Sequence, residues 1–116
     1  MRPHIVISGG GSGGHLFPGL AVAQQIRTLE PEADITFAGT RSESERRHVE
    51  EAGFRHVAMA CRAWSPRPWR WPRFVWDHAR GFRAAERWLA RHKPDVVVGL
   101  GGWPSVPMSR AAVAWK

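Results

Sequence analysis

The sequence predicts an α/β fold, a doubly wound parallel sheet with helices on both faces, and three observations carry that reading. Short apolar runs alternate along the chain with stretches whose apolar residues recur every three or four positions. The first run, residues 4–8, ends in a cluster of glycines and a helical pattern follows it, the order of strand, tight turn and helix. The last, DVVVGLG at residues 95–101, is almost continuously apolar, as a strand covered on both faces would be. Ligands of such sheets bind beyond the carboxyl ends of the strands.

Taken in order, HIVIS at residues 4–8 is the first strand. Residues 18–29 then carry Leu20, Ala23, Gln24, Ile26 and Arg27 at a helical period, with Pro18 placed to fill a first turn, where its missing amide has no intrahelical partner to lose. DITFAG, residues 34–39, reads as the second strand. Ser42 with Glu45 three residues later has the form of a capping box, and the charged stretch behind it runs to Gly53, a residue suited to closing a helix. A short surface helix is expected there. HVAMA, residues 56–60, is the third strand. The prolines between 65 and 72 predict a loop, because each lacks an amide donor and restricts the residue before it. Val75, Ala79, Phe82, Ala85 and Leu89 then mark the buried stripe of a helix that runs to about His92 and is ended by Pro94. After the strand at 95–101, a final helix is expected to start near Pro104.

With 116 residues, 43% of them apolar, the chain suits one compact domain, and it shows neither an internal repeat nor a linker. The single cysteine, Cys61, allows no internal disulfide and points to no oxidising compartment. The opening apolar run is too short for a signal peptide, and no window approaches the roughly 20 apolar residues that span a bilayer. The expected location is cytoplasmic, with any membrane contact peripheral. The net charge of +7 is unevenly placed: residues 62–93 hold nine Arg or Lys against Asp77 and Glu86, and basic and acidic residues balance elsewhere. The same segment carries five of the seven tryptophans, Trp64, Trp69, Trp71, Trp76 and Trp88. A block both basic and rich in indoles suits an anionic bilayer surface. Nucleic acid is the competing partner, and a solvated arginine face with tryptophans turned inward is the plainer alternative.

The chemistry-bearing motif is the loop after the first strand, Gly9, Gly10, Gly11, Ser12, Gly13, Gly14 and His15. Glycines at a strand-to-helix turn let the backbone approach a ligand, and the helix start aims free amides and its positive end at an anion, so a diphosphate site is the natural inference. Gly9, Gly11 and Gly14 satisfy G-x-G-x-x-G, but a dehydrogenase would close its second strand on Asp or Glu to hold the ribose, whereas this one closes on Ala38, Gly39 and Thr40. His48, His56, His78 and His92 are scattered over different elements without metal-ligand spacing, which suits surface or satisfied core positions. No Walker lysine is present.

The stretch G-G-S-G-G-H-L-F-P-G-L-A-V-A, residues 10–23, resembles the signature that opens MurG-like glycosyltransferases, with Ser12 where their usual form has Thr. Lys93-Pro94-Asp95-Val96-Val97 leading into Gly99-Leu100-Gly101-Gly102-Trp103-Pro104-Ser105 is similar to that family's K-P-D-V-V and G-x-G-G-Y-x-S. Trp103 for Tyr and Val106 for Gly are departures that bear on the shape of this second loop.

The resemblance implies the N-terminal, Rossmann-like half of a GT-B fold. Residues 1–116 would form the acceptor-binding domain of a family 28-type glycosyltransferase, with a donor domain outside them. It implies an inverting reaction in peptidoglycan synthesis: the muramyl 4-hydroxyl of undecaprenyl-diphosphate-linked N-acetylmuramyl-pentapeptide attacks the anomeric carbon of UDP-N-acetylglucosamine, and UDP departs. No cofactor and no metal are implied. His15 is the candidate proton acceptor, since an imidazole titrates near neutrality; the alternative is a histidine that only orients the loop or a bound phosphate. Gly11, Ser12, Gly13 and Gly14 are the candidates for the diphosphate, and Gly101, Gly102, Trp103 and Ser105 for the acceptor. Trp64, Arg67, Trp69, Arg70, Trp71 and Arg73 are expected to dock on the anionic cytoplasmic face of the cell membrane, with no specific nucleic acid bound. Two rival readings remain: a non-catalytic, basic, aromatic-rich binding module, and half of a split transferase acting on another lipid-linked acceptor.

Overall fold

A computed structural model describes residues 2–9, 13–59, 66–100 and 106–115. Four strands, β1 (His4–Ser8), β2 (Asp34–Gly39), β3 (Arg55–Ala58) and β4 (Val96–Gly99), form one parallel sheet in the order β3-β2-β1-β4. Helices α1 (Gly13–Leu29), α2 (Glu43–Glu51), α3 (Trp71–His92) and α4 (Val106–Trp115) fill the connections. The alternating faces of β1 explain the layering. Ile7 points into a core built with Leu16, Leu20 and Ala23 of α1, Phe37 of β2 and Val49 of α2. Val6 points the other way, into a core with Ala85 and Leu89 of α3 and with Met108 and Ala111 of α4. Helices thus cover both faces, as the doubly wound reading expects.

Several local expectations are corrected. Helix α1 begins at Gly13, so Pro18 lies inside it on the exposed face and not in its first turn. The early start brings Leu16 onto the stripe of Leu20 and Ala23, and that burial offsets the poor helix propensity of two glycines. The capping box is half formed: Ser42 Oγ accepts from the Glu45 amide at 3.4 Å, but the Glu45 carboxylate does not return to Ser42, whose amide donates to Thr40 Oγ1. Gly53, with φ 89°, follows the helix as expected. Strand β3 starts one residue early, at Arg55, and Ala60 lies outside the described residues.

The stretch at 65–72 is not all loop. Pro68–Arg70 form a 3-10 turn, and Trp71 and Pro72 open α3. Proline is admitted there because amides in a first turn have no intrahelical acceptor. The buried face of α3 is Gly81, Ala85 and Leu89, flanked by half-buried Phe74, His78 and Phe82. Val75 is 64% exposed and Ala79 is also exposed, because Phe74 and His78, one position round, take the inward side. Lys93, in the left-handed region at φ 47°, caps α3. Strand β4 is not buried on both faces: Val96 is 50% exposed and Val97 and Val98 are half-buried. Among the described residues, β4 is an edge strand that pairs with β1 alone. The last helix starts at Val106, with Pro107 in its first turn.

Candidate functional site

From β1 the chain turns to one side to build β2 and β3, then crosses to the other side of β1 to build β4. The switch point between β1 and β4 is where such a sheet leaves a crevice at its carboxyl ends. Ser8 and Gly99 are register partners, so Gly9 and Leu100 leave the sheet on neighbouring strands. The exits are held by ladder bonds one residue beyond each strand: Gly9 donates to the Ala38 carbonyl at 3.0 Å, and Leu100 to that of Ser8 at 2.8 Å. Gly9 adopts φ 146°, and a Cβ on it would lie 2.8 Å from the Leu100 Cβ. A side chain there would meet both backbone strain and a clash.

Gly13, Gly14 and His15 form the first turn of α1, whose amides have no intrahelical acceptors and stand at the positive end of the helix. They follow in sequence on the glycine motif after β1, and a helix start of this kind suits an anion. Of the other sequence-predicted residues, Gly11, Ser12, Gly101, Gly102, Trp103 and Ser105 lie outside the described residues, as does the His15 side chain. What the described residues bring together is therefore Gly9 and Leu100, the two points from which the glycine motifs continue.

A polar cluster, of which the sequence pattern predicts only the Ser42–Glu45 helix cap, lies at the carboxyl end of β2 beside β3. The Glu45 carboxylate accepts from the Thr40 amide at 2.7 Å and the Thr40 hydroxyl at 3.0 Å, and it lies 2.8 Å from His56 Nε2. The His56 and Glu45 side chains are only 2% and 3% exposed. Gly39 makes room, since a Cβ on it would collide with the carboxylate. The signal was present in the sequence: Val49 is the apolar residue of α2 that buries, and Glu45, four residues earlier, shares its face. The cluster ties α2 to β3, at the edge of the sheet opposite β4. His56 is thus a satisfied core residue. His48 packs edge-on against Phe17, His78 lies tilted against Phe74 at 4.3 Å, and His92 stacks on Trp88 at 4.2 Å. Among the described residues, no three of His, Cys, Asp or Glu gather as a metal would require.

The pattern of the glycosyltransferase family 28 N-terminal domain matches residues 5–116, nearly the whole chain. The chain belongs to that family. Among curated relatives, the UDP-N-acetylglucosamine:N-acetylmuramyl-(pentapeptide) pyrophosphoryl-undecaprenol N-acetylglucosamine transferase of Bifidobacterium adolescentis is 43% identical over 96% of this chain, which covers 28% of that protein. The transferase of the same name from Salinibacter ruber is 36% identical over 95% of this chain and 30% of its own length. The chain thus spans less than a third of the length of these relatives. Among solved structures, MurG of Acinetobacter baumannii superposes with a TM-score of 0.78 at 23% identity, over 99% of this chain and 32% of that one. The calicheamicin glycosyltransferase CalG4 does so with a TM-score of 0.67 at 20% identity, over 98% of this chain and 30% of that one. The fold of this family 28 chain is accordingly the Rossmann-like N-terminal half of a GT-B architecture.

The family 28 chain also carries the basic, tryptophan-rich segment on its surface. Trp69 is 72% exposed, Trp71 is 46% exposed, and Trp76 and Val75 extend the same exposed stretch onto α3. Arg67, Arg70 and Arg73 are exposed among them, and the Arg67 guanidinium stands 5.9 Å from the Trp69 ring centre. Trp64 lies outside the described residues. No described helix is long and apolar enough to cross a membrane.

Proposed function

We propose that this chain is the acceptor-binding half of an inverting hexosyltransferase that moves N-acetylglucosamine from UDP-N-acetylglucosamine to undecaprenyl-diphosphate-linked N-acetylmuramyl-pentapeptide. The observation that supports the reading is that Gly9 and Leu100, from which the two glycine motifs continue, leave β1 and β4 as neighbours at the switch point, and that α1 opens with the free amides of Gly13 and Gly14. The names of the curated relatives supply the substrates. The amides of Gly13 and Gly14, with Gly11 and Ser12, hold a diphosphate. Gly101, Gly102, Trp103 and Ser105 line the acceptor side. His15 takes the proton of the muramyl 4-hydroxyl as that oxygen attacks the anomeric carbon, and UDP leaves with the bonding electrons. Trp69, Trp71, Arg67, Arg70 and Arg73, with Trp64, rest on anionic headgroups at the cytoplasmic membrane face, and each arginine contributes roughly 1 kcal/mol there. The donor pocket belongs to a second domain outside these 116 residues.

Two outcomes follow. The 116-residue chain alone shows no turnover of UDP-N-acetylglucosamine, and product formation by the purified chain would refute the division of labour. In a two-domain protein that contains this chain, His15→Ala lowers kcat by about 10²-fold to 10⁴-fold with the unfolding midpoint unchanged. An unchanged kcat would return His15 to orienting the loop.

A further inference from the structure

A groove of about 370 Å³ lies between α3 and the ends of β2 and β3, and it is lined by Arg41, Ala58, Trp76, Arg80, Arg83 and Arg87, together with Ala84. Residues 76, 80, 83, 84 and 87 fall on one stripe of α3, and Arg41 faces them from the turn after β2. Like charges at this spacing destabilise a helix by a few tenths of a kcal/mol per pair, so the arrangement is unfavourable as it stands. Among the described residues, none of the four guanidinium groups is paired with a carboxylate. Glu45, the buried acid closest in sequence to Arg41, is engaged by Thr40 and His56. Ala58 and Ala84 leave the floor open, where longer side chains would fill it.

Arginine forks pair with phosphate oxygens two bonds at a time, and several forks on one small cavity suit more than a single negative charge. From Arg80 to Arg87 the helix rises about 10 Å, longer than one phosphate needs. We infer that this groove is a second anion site, which takes a phosphate-bearing group of diphosphate size with Arg41, Arg80, Arg83 and Arg87 as its ligands. The inference is independent of the transferase reading, because none of these residues belongs to the glycine loops. The phosphate has two possible sources, a soluble diphosphate or a lipid headgroup, and Trp76, 64% exposed at the groove's edge, is compatible with both.

The test uses the 116-residue chain with two probes, inorganic diphosphate and phosphatidylglycerol vesicles, at about 0.15 M salt, where diffuse surface attraction is largely screened. The variant Arg83→Gln/Arg87→Gln is compared with Arg47→Gln/Arg110→Gln, which removes the same charge from exposed positions outside the groove. All four side chains are exposed, and thermal unfolding checks that both variants fold. Diphosphate is expected to shift the arginine Nε–H resonances of the groove, with affinity falling at least about tenfold in the groove variant and less than about twofold in the control. Groove-dependent binding of free diphosphate identifies a soluble ligand, and groove-dependent binding of vesicles alone identifies a headgroup. Equal losses in the two variants, or no binding of either probe, would overturn the site.

Discussion

The two edges of the sheet are finished in different ways. At the β3 edge, Arg55 is exposed and stands 3.7 Å from Asp34, His56 is buried against Glu45, and the arginines of α3 gather beside Ala58. At the β4 edge, Val96 is half exposed and the adjoining groove of about 420 Å³ is lined mainly by Leu89, Pro94, Val97, Ala112 and Val113. Charges along an edge discourage the addition of another strand, and a bare apolar edge invites it. The first edge therefore closes the sheet in this chain. The second has the composition of an interior strand without an interior position. Apolar content reports how many faces a strand is built to have covered, and a chain that spans less than a third of its relatives need not supply the cover itself.

The sharpest way to break this comparison is at the Glu45 carboxylate, which satisfies three donors at the closed edge. Glu45→Ala leaves the Thr40 amide and hydroxyl and the buried His56 ring without their acceptor, and a loss of about 3–5 kcal/mol is expected in urea denaturation. Glu43→Ala, on the same turn of α2 but with its Arg46 partner in solvent, should change stability by less than about 0.5 kcal/mol. Equal effects would show that the buried cluster does not hold this edge.

A smaller effect is expected at the open edge. The isolated chain should self-associate through β4, and Val96→Lys should weaken that association about tenfold, roughly 1.4 kcal/mol, with little change in unfolding. Arg55→Val should act in the opposite sense by stripping the other edge of its charge. Sedimentation equilibrium measures both. If Val96→Lys left the association unchanged, the contact would lie elsewhere.

The sequence carried the architecture further than it carried the contacts. Strand positions and the glycine turn were legible because a parallel sheet needs apolar runs, and a strand that meets a helix closely needs glycine. The extent of α1 was not, because Pro18 marks a helix start only when packing does not pull the start earlier, and Leu16 does so here. The stripe of α3 holds at Phe82, Ala85 and Leu89 and fails at Val75 and Ala79, because Val75 and Phe74 are both apolar and only the neighbouring core decides which turns inward. The candidate site was legible only as two motifs, each following a strand. That those strands, β1 and β4, are neighbours depends on the order β2-β1-β4, which no local pattern states.

The smallest predicted effect lies at Ser109, where the open edge departs most from the closed one. Its Oγ is buried, and among the described residues it has no hydrogen-bond partner, in contrast to the fully engaged Glu45. An unpaired buried hydroxyl costs about 1–3 kcal/mol, and Ser109→Ala removes that cost while leaving a void of one oxygen. A net gain of up to about 1 kcal/mol is therefore expected in urea denaturation. Gly99 sharpens the test. A Cβ on Gly99 would lie 2.8 Å from Ser109 Oγ but 3.9 Å from Ser109 Cβ, so the hydroxyl is what excludes it. Gly99→Ala alone should destabilise by about 1–3 kcal/mol through overpacking, and the same change should be nearly neutral beside Ser109→Ala. The double-mutant cycle then gives a coupling of about 1–3 kcal/mol between the two positions. If Ser109→Ala instead cost more than about 1 kcal/mol, the hydroxyl would have a partner outside the described residues, and the open edge would be as well satisfied as the closed one.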